Sequence, residues 1–200
     1  MSLFDFDRAL SGGGVILCGV DEAGRGPLAG PVYAAAVILP EGCEITGLDD
    51  SKKLTEKKRE ALFHEITGRA EDYAVASITA KEIDNVNILN AAMLAMRKAV
   101  EGLKSKPGLV LVDGNFNPGF GIPARLVIKG DAKSASIAAA SVLAKVLRDR
   151  YMLALHEAYP QYCFDKHKGY GTKLHYGALE QYGPCPEHRE SFLKKWRASR

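Results

Sequence analysis

No two of the four cysteines, Cys18, Cys43, Cys163 and Cys185, are spaced C-x-x-C, and nothing sets them beside the five histidines as a zinc site. Free thiols in a reducing compartment follow as the expectation. No apolar run approaches the roughly 20 residues that a membrane-spanning helix needs. The start, MSLFDFDRALSGGG, carries acids and has no apolar core of the kind a secretory signal requires. These absences together predict a cytoplasmic protein with no membrane partner. G-x-S-x-G and H-E-x-x-H are missing too, which counts against a serine hydrolase or a zinc peptidase. Charge of one sign is not in excess either: 27 basic against 24 acidic residues leave a formal +3. That balance neither demands nor excludes a polyanionic partner, so the placement of the charges matters more than their sum.

What is present is an ordinary apolar content, 46% over 200 residues, enough to bury a core without disulfides. Ser11–Gly14 reads as a flexible joint, making residues 1–14 a flexible tail and 15–200 a single domain. Apolar runs predict strands over 15–21, 32–39, 73–79, 109–113 and 125–128. Helices are predicted from Thr55 to about Gly68 with Leu62, Phe63 and Ile66 inward, and from Asn87 to Gly102. A long Ala-rich helix covers 132–157, where no Gly or Pro occurs, and its small side chains suit close packing on the sheet. Another helix begins at Thr172 and stops before the G-P-C-P break at 183–186. The final K-K-W-R-A-S-R reads as a solvated basic tail. Strands first, with helices between the later ones, indicate a mixed α/β sheet with helical layers.

Two acids stand at the ends of apolar strands, Asp21 and Asp113. If those strands are parallel neighbours, both carboxylates emerge at the edge where open α/β sheets bind ligands. Clustered carboxylates repel unless one is protonated or a cation lies between them, and hard oxygen ligands favour magnesium or manganese. Glu22 joins Asp21 in one site only if the chain turns there, and Gly24 and Gly26 supply a turn. Taken singly, each Asp also fits a turn or a helix cap. Asp131, just before the Ala-rich helix, fits best as an N-cap accepting from an N–H near Ser134.

The turn Gly24-Arg25-Gly26-Pro27-Leu28-Ala29-Gly30 is neither a dinucleotide-binding nor a P-loop sequence. Its glycines allow backbone groups to approach a ligand, or simply make a tight turn with Arg25 in solvent. Basic residues cluster at 51–53, 57–59, 129/133, 145–150 and 166–168; except for 57–59, they flank strand ends and turns where a phosphate backbone could run. Tyr170, between glycines in H-K-G-Y-G-T, either packs or offers its ring to a sugar or base. His64, His156, His175 and His188 show no partners in the sequence and fit ordinary surface or core roles.

At these residues the chain closely resembles the bacterial ribonuclease HII family. The matching segments are G-V-D-E-A-G-R-G-P-L-A-G-P-V (19–32), L-D-D-S-K-K-L (48–54), V-D-G-N (112–115), K-G-D-A-K-S-A-S-I-A-A-A-S-V-L-A-K-V-L-R-D (129–149) and H-K-G-Y-G-T (167–172). They keep the family's order from about residue 15 to 192. Type III relatives resemble the chain less, having Lys where Arg25 stands.

The resemblance implies a ribonuclease H-like α/β fold: a five-stranded mixed sheet flanked by helices, with a C-terminal helical extension. It implies a metal-dependent endonuclease whose metal-binding and catalytic carboxylates fall on Asp21, Glu22, Asp113 and Asp131, which replaces the capping role for Asp131. Gly24, Arg25 and Gly26 fall on the segment that senses the ribose 2′-OH through its backbone, and Tyr170 on the tyrosine that packs on the following deoxyribose. Ser51, Lys52, Lys53 and Lys145 fall where phosphates are contacted or the site is supported. Two Mn²⁺ or Mg²⁺ ions are the implied cofactors. The implied substrates are RNA–DNA hybrids and duplex DNA containing single ribonucleotides, cut to 5′-phosphate and 3′-hydroxyl ends, by an enzyme expected to be monomeric. The rival readings are a catalytically silent nucleic-acid-binding module and a DNA-directed nuclease on the same fold. The four acids argue against the first and the G-R-G turn against the second.

Overall fold

The computed structural model describes residues 2–12 and 14–198. Its centre is a five-stranded sheet in the order β3-β2-β1-β4-β5. The strands are β1 (Leu17–Ala23), β2 (Val32–Ile38), β3 (Asp72–Ile78), β4 (Leu109–Asp113) and β5 (Ala124–Val127). β1, β2 and β3 form an antiparallel meander. β4 then pairs parallel with β1, and β5 parallel with β4. All five predicted strands occur, each within two residues of its expected limits.

Strand alternation sends β1 side chains to two layers. Cys18 and Val20 join Val110 and Val112 against the helices α3 (Ala80–Val86) and α4 (Ile88–Glu101), through Ile83, Ala92 and Met96. The opposite face meets α5 (Ala135–Ala158) and α2 (Glu56–Arg69), with Ala35 and Val37 packed among Ala138, Ala139, Val142, Leu62 and Ile66. α5 is buried on most of its sides, as its alanine-rich sequence allows. It lies so close to β1 that a Cβ on Gly19 would overlap the backbone of Ser136 and Ile137. Only glycine fits there, and that contact fixes the depth of the helix against the sheet.

Thr55 and Asn87 cap α2 and α4 as expected, their side chains accepting from the amides of Lys58 and Asn90. The cap of α5 differs from the local reading of Asp131: Ser134 supplies it, accepting from the amide of Ile137. Asp131 sits earlier, in a single 3₁₀ turn over Gly130–Ala132. Three further expectations are corrected. Where a flexible tail was predicted, Leu3–Ser11 is a helix, α1, opened by a capping box between Ser2 and Asp5. Its Leu3 and Phe4 pack on the α5 layer and Asp7 accepts from the amide of Ser136. Gly13, within the predicted joint, lies outside the described residues. At the other end, the expected basic tail is largely helix α8 (Glu190–Ala198), with Leu193 and Trp196 buried; residues 199–200 lie outside the described residues. α3 was not anticipated either. The remaining helices are α6 (Phe164–His167) and α7 (Lys173–Tyr182), the latter capped by Thr172. The C-terminal extension packs α7 and α8 on the end of α5 through Tyr162, Phe164, Leu179, Leu193 and Trp196. No described helix is long and apolar enough to cross a membrane.

Candidate active site

Parallel pairing of β1 and β4 runs through Val20 opposite Val112, so Asp21 and Asp113 are the next residues of neighbouring strands, roughly 5 Å apart along the sheet. Alternation puts both on the α5 side. Gly130 and Asp131 close the same corner, since the Gly130 amide donates to Asp113 Oδ1 at 2.6 Å. Glu22 differs from expectation. β1 continues in register with β2 to Ala23, so the glycine turn comes too late to swing Glu22 beside Asp21. Glu22 leaves the strand on the α4 side, bordering a small cleft with Leu89, Met93, Asp113 and Phe116. The four acids thus converge on one edge of the sheet from both of its faces.

Their electrostatics show the convergence. Burial raises the pKa of Asp21 well above the ordinary carboxylate value, and the charges of Glu22 and Asp113 raise it further. Burial also raises Glu22, partly offset by Arg25, with Asp113 adding to the rise. Asp131 is raised by burial and then by Asp113 and Asp50. Such crowding of buried carboxylates is costly without a cation. Lys52 answers part of it: its Nζ lies 3.6 Å from Asp131 Oδ2. Partial burial works against its charge, yet Asp21, Asp131, Asp50 and Asp113 together raise its pKa above the usual lysine value. Each acid also takes a local donor. The Glu22 amide donates to Asp21 Oδ1 at 2.7 Å, and Arg25 pairs with Glu22 at 3.4 Å. Among the described residues no three acidic, histidine or cysteine side chains are drawn into a ready-made metal nest. The donor set is nonetheless one of hard oxygens, held by rigid strands and already attracting an ammonium group, which suits a divalent cation of the magnesium kind.

The flanking residues fall into place around this edge. Ser51 is buried and shares a 2.8 Å hydrogen bond with Ser141, which in turn bonds Asp21. Lys53 pairs with Asp49 at 3.1 Å on the surface and makes no contact with the acids. Lys145 is tied to Asp149 at 2.6 Å, and burial lowers its pKa despite that partner. Arg59 reaches the same Asp149 at 3.8 Å and donates to the carbonyls of Ser51 and Leu54. Lys145 therefore belongs to the support of the 51–54 loop that presents Lys52.

The loop after β1 is held by two arginines that the sequence reading did not single out. Arg148 donates to the carbonyls of Pro31, Ala29 and Lys168, at 3.1, 3.3 and 3.1 Å. Arg189 donates to the carbonyls of Gly24, Arg25 and Gly30, at 2.7, 3.0 and 2.7 Å. Both are fully buried, and burial lowers the pKa of each below the usual arginine value. The guanidinium keeps its proton, and the ring of carbonyl dipoles compensates the charge. Gly24, at φ +101°, has no room for a side chain because a Cβ would run into the Arg148 guanidinium.

Tyr170 lies against this loop: its Cε1 is 3.5 Å from where a Gly26 Cβ would stand, and the residue is 46% exposed. Its backbone is fixed by histidines, which correct the partnerless reading of His175 and His188. His175 Nδ1 bonds the Tyr170 carbonyl at 3.0 Å and His175 Nε2 meets His188 Nε2 at 3.0 Å. His188 Nδ1 accepts from the Cys185 amide, while the Gly169 amide donates to His167 Nδ1. Carbonyl and amide partners assign the tautomers: Nδ1–H on His175, Nε2–H on His188 and on His167. All three rings are neutral, burial pushing His175 and His188 down to about 4.

The chain matches the family model described as Ribonuclease HII over residues 18–197. It is 56% identical over 188 residues to a Ribonuclease HII of Caldicellulosiruptor bescii, covering 94% of this chain and 91% of the relative. With a Ribonuclease HII of Paracidovorax citrulli the identity is 60% over 177 residues, covering 88% of this chain and 74% of the relative. The crystal structure of the ribonuclease H2 from Pyrococcus horikoshii OT3 superposes with a TM-score of 0.77 at 29% identity, covering 90% and 95% of the two chains.

Proposed function

This chain belongs to the ribonuclease HII family and is a ribonuclease H acting on RNA–DNA hybrids; from that premise we propose that Asp21, Glu22, Asp113 and Asp131 are its catalytic metal ligands. The observation that carries the reading is the convergence of these four acids, three at the ends of β1 and β4 and Asp131 in the turn after β5; the raised pKa values of Asp21, Glu22 and Asp131 each trace to burial and to another acid of the group. Two Mn²⁺ or Mg²⁺ ions, when bound, supply the activation of water and the stabilisation of the departing 3′ oxygen. The protein's part is to hold the ligands. Asp21 and Asp113 sit on strands that cannot shift without disturbing the core, and Glu22 and Asp131, which pair with Arg25 and Lys52, would complete the set that holds the ions. Arg25 and Lys52 border the same edge, where their charges suit the phosphates of a duplex.

Specificity is assigned to the other half of the site. Backbone groups of Gly24, Arg25 and Gly26 read a ribose 2′-OH, which both donates and accepts hydrogen bonds and so distinguishes RNA from DNA at one position. The half-exposed Tyr170 ring beside Gly26 packs on the next sugar, a deoxyribose. Backbone reading ignores base identity, so sequence preference is low. This extends the substrate range to single ribonucleotides embedded in duplex DNA, cut on their 5′ side to leave 3′-hydroxyl and 5′-phosphate ends. Ser51, through Ser141, steadies Asp21; Lys145 steadies the loop that presents Lys52 and Lys53. A monomer working in the cytoplasm is sufficient for this chemistry.

The test is a cleavage assay on paired duplexes that differ by one ribonucleotide, with Mg²⁺ or Mn²⁺ and with EDTA. Cutting of the ribonucleotide duplex only, at its 5′ side and only with metal, is the expected result. Cutting of all-DNA duplex, or cutting that survives EDTA, would overturn the assignment.

A further inference from the structure

Residues 24–31 connect the end of β1 to β2, passing through an isolated bridge between Ala29 and His188. Gly24 and residues 27–30 are buried; only Arg25 and Gly26 are exposed. Arg189 clamps the segment from within. One guanidinium reaches the carbonyls of Gly24 and Arg25 at one end and that of Gly30 at the other, and the Arg189 amide donates to Leu28 at 2.8 Å. In a trans peptide the carbonyl of one residue and the N–H of the next point in opposite directions. With the carbonyls of Gly24 and Arg25 both turned inward, the amides of Arg25 and Gly26 are both turned outward. Among the described residues neither amide meets an acceptor, and Gly26 stands beside the Tyr170 ring. Among the described residues the Arg189 guanidinium bonds carbonyls and no carboxylate, Asp84 adding only its field; that is costly as pure scaffolding, since a hydrophobic side chain would fill the same space without desolvating a charge.

From this we infer that Arg189 is a specificity-determining positioning residue: it turns the carbonyls of Gly24 and Arg25 inward, so that the two adjacent amide donors of Arg25 and Gly26 face the sugar edge of the substrate. The inference rests on the 2′-OH reading given above, and it adds which backbone groups do that reading and what holds them. The loop then recognises the 2′ oxygen as an acceptor, which a deoxyribose lacks. Arg189 never touches substrate. It lies in the C-terminal extension, so this extension, distant in sequence from the acids, sets the selectivity of the site.

The experiment compares wild type with Arg189→Lys, which keeps a cation and most of the volume but cannot span three carbonyls with one planar fork. Cleavage of a single-ribonucleotide duplex under Mg²⁺ gives KM, and inhibition by the matching all-DNA duplex gives Ki; their ratio measures discrimination. Wild type is expected to show a Ki/KM of about tenfold or more, in line with one or two net hydrogen bonds. Arg189→Lys should bring the ratio to within about twofold of unity, with Ki for the all-DNA duplex and the melting temperature little changed. A folded variant that keeps the wild-type ratio would reduce Arg189 to scaffolding. A wild-type ratio near unity would instead remove the 2′-OH reading itself. Should Arg189→Lys not fold, NMR of the wild-type protein decides. Slow exchange of the Arg189 side-chain protons, with amide shifts at Arg25 and Gly26 induced by the ribonucleotide duplex and not by DNA, supports the inference. Fast exchange, or equal shifts with both duplexes, refutes it.

Discussion

Asp21 and Asp113 differ from the other two acids in how little freedom they have. Each sits on a strand of the buried sheet, and each already has an oxygen aligned by a backbone amide. Replacing either by Asn keeps the shape and removes the charge proposed to draw the metal. A lost metal ligand costs several kcal/mol of transition-state stabilisation, so Asp21→Asn and Asp113→Asn should each lower kcat by about a thousandfold or more. Relief of carboxylate crowding should leave the melting temperature equal or higher. A variant with near-normal turnover would exclude that residue from the metal site. Taken singly each of these acids reads as a turn former or cap; they became legible together, because two apolar runs end in Asp and one of those is followed by Glu and a glycine turn. Asp131 was less so, since its position just before α5 reads locally as a cap, and only the three-dimensional corner with Gly130 and Asp113 separates it from Ser134, the residue that does the capping. Arg148, grouped in sequence with basic residues that a phosphate could meet, is instead buried on loop carbonyls, and Arg189 could not be read at all. An arginine whose partners are carbonyls from a distant loop leaves no spacing signal in its own neighbourhood.

At the level of elements, apolar runs bounded by turn residues gave all five strands: β1, β2 and β4 are buried on both faces and so continuously apolar, while the more exposed edge strands β3 and β5 still carry short apolar runs. Short helices escaped for the opposite reason. α3 has seven residues and no apolar stripe of its own, though the T-x-x-E box formed by Thr79 and Glu82 marks its start. α1 half-buries Leu3, Phe4, Phe6 and Leu10, and α8 buries Leu193 and Trp196, each under a charged exterior that in sequence resembles a solvated tail. The C-terminal extension is also where acid should act. His175 and His188 titrate at about 4 in the folded protein against 6.5 for the free side chain. Below pH 6.5 the unfolded chain takes up protons that the folded rings refuse, so their contribution is complete above that pH and is lost on the way to about 4. For one ring the loss by pH 5 is about 2 kcal/mol. The raised carboxylates of the active site act in the opposite direction, because the folded state holds their protons more tightly. The histidine effect is therefore isolated by comparison: between pH 7.5 and 5 the denaturation midpoint of wild type should fall further than that of His175→Gln. Equal falls in the two proteins would show that the buried rings do not carry the acid sensitivity.

Across the whole molecule, the division of labour follows the chain's two ends of construction. The strands of the sheet bring together acids that lie far apart in sequence, and the C-terminal extension reaches back to shape the loop and the tyrosine beside them. α5 joins the two: its first turns pack on Gly19 under the acids, and its Arg148 and Met152 reach the loop and the extension. A cluster of mutually repelling carboxylates on so rigid a frame makes sense only as a receptor for positive charge. Calorimetric titration of the metal-free protein with Mn²⁺, beside Asp113→Asn, measures that directly. Wild type should bind the ion with saturable heat, and the variant should bind at least about tenfold more weakly, as expected for removal of one charged ligand. Equal affinities, or no saturable binding to wild type, would contradict the account.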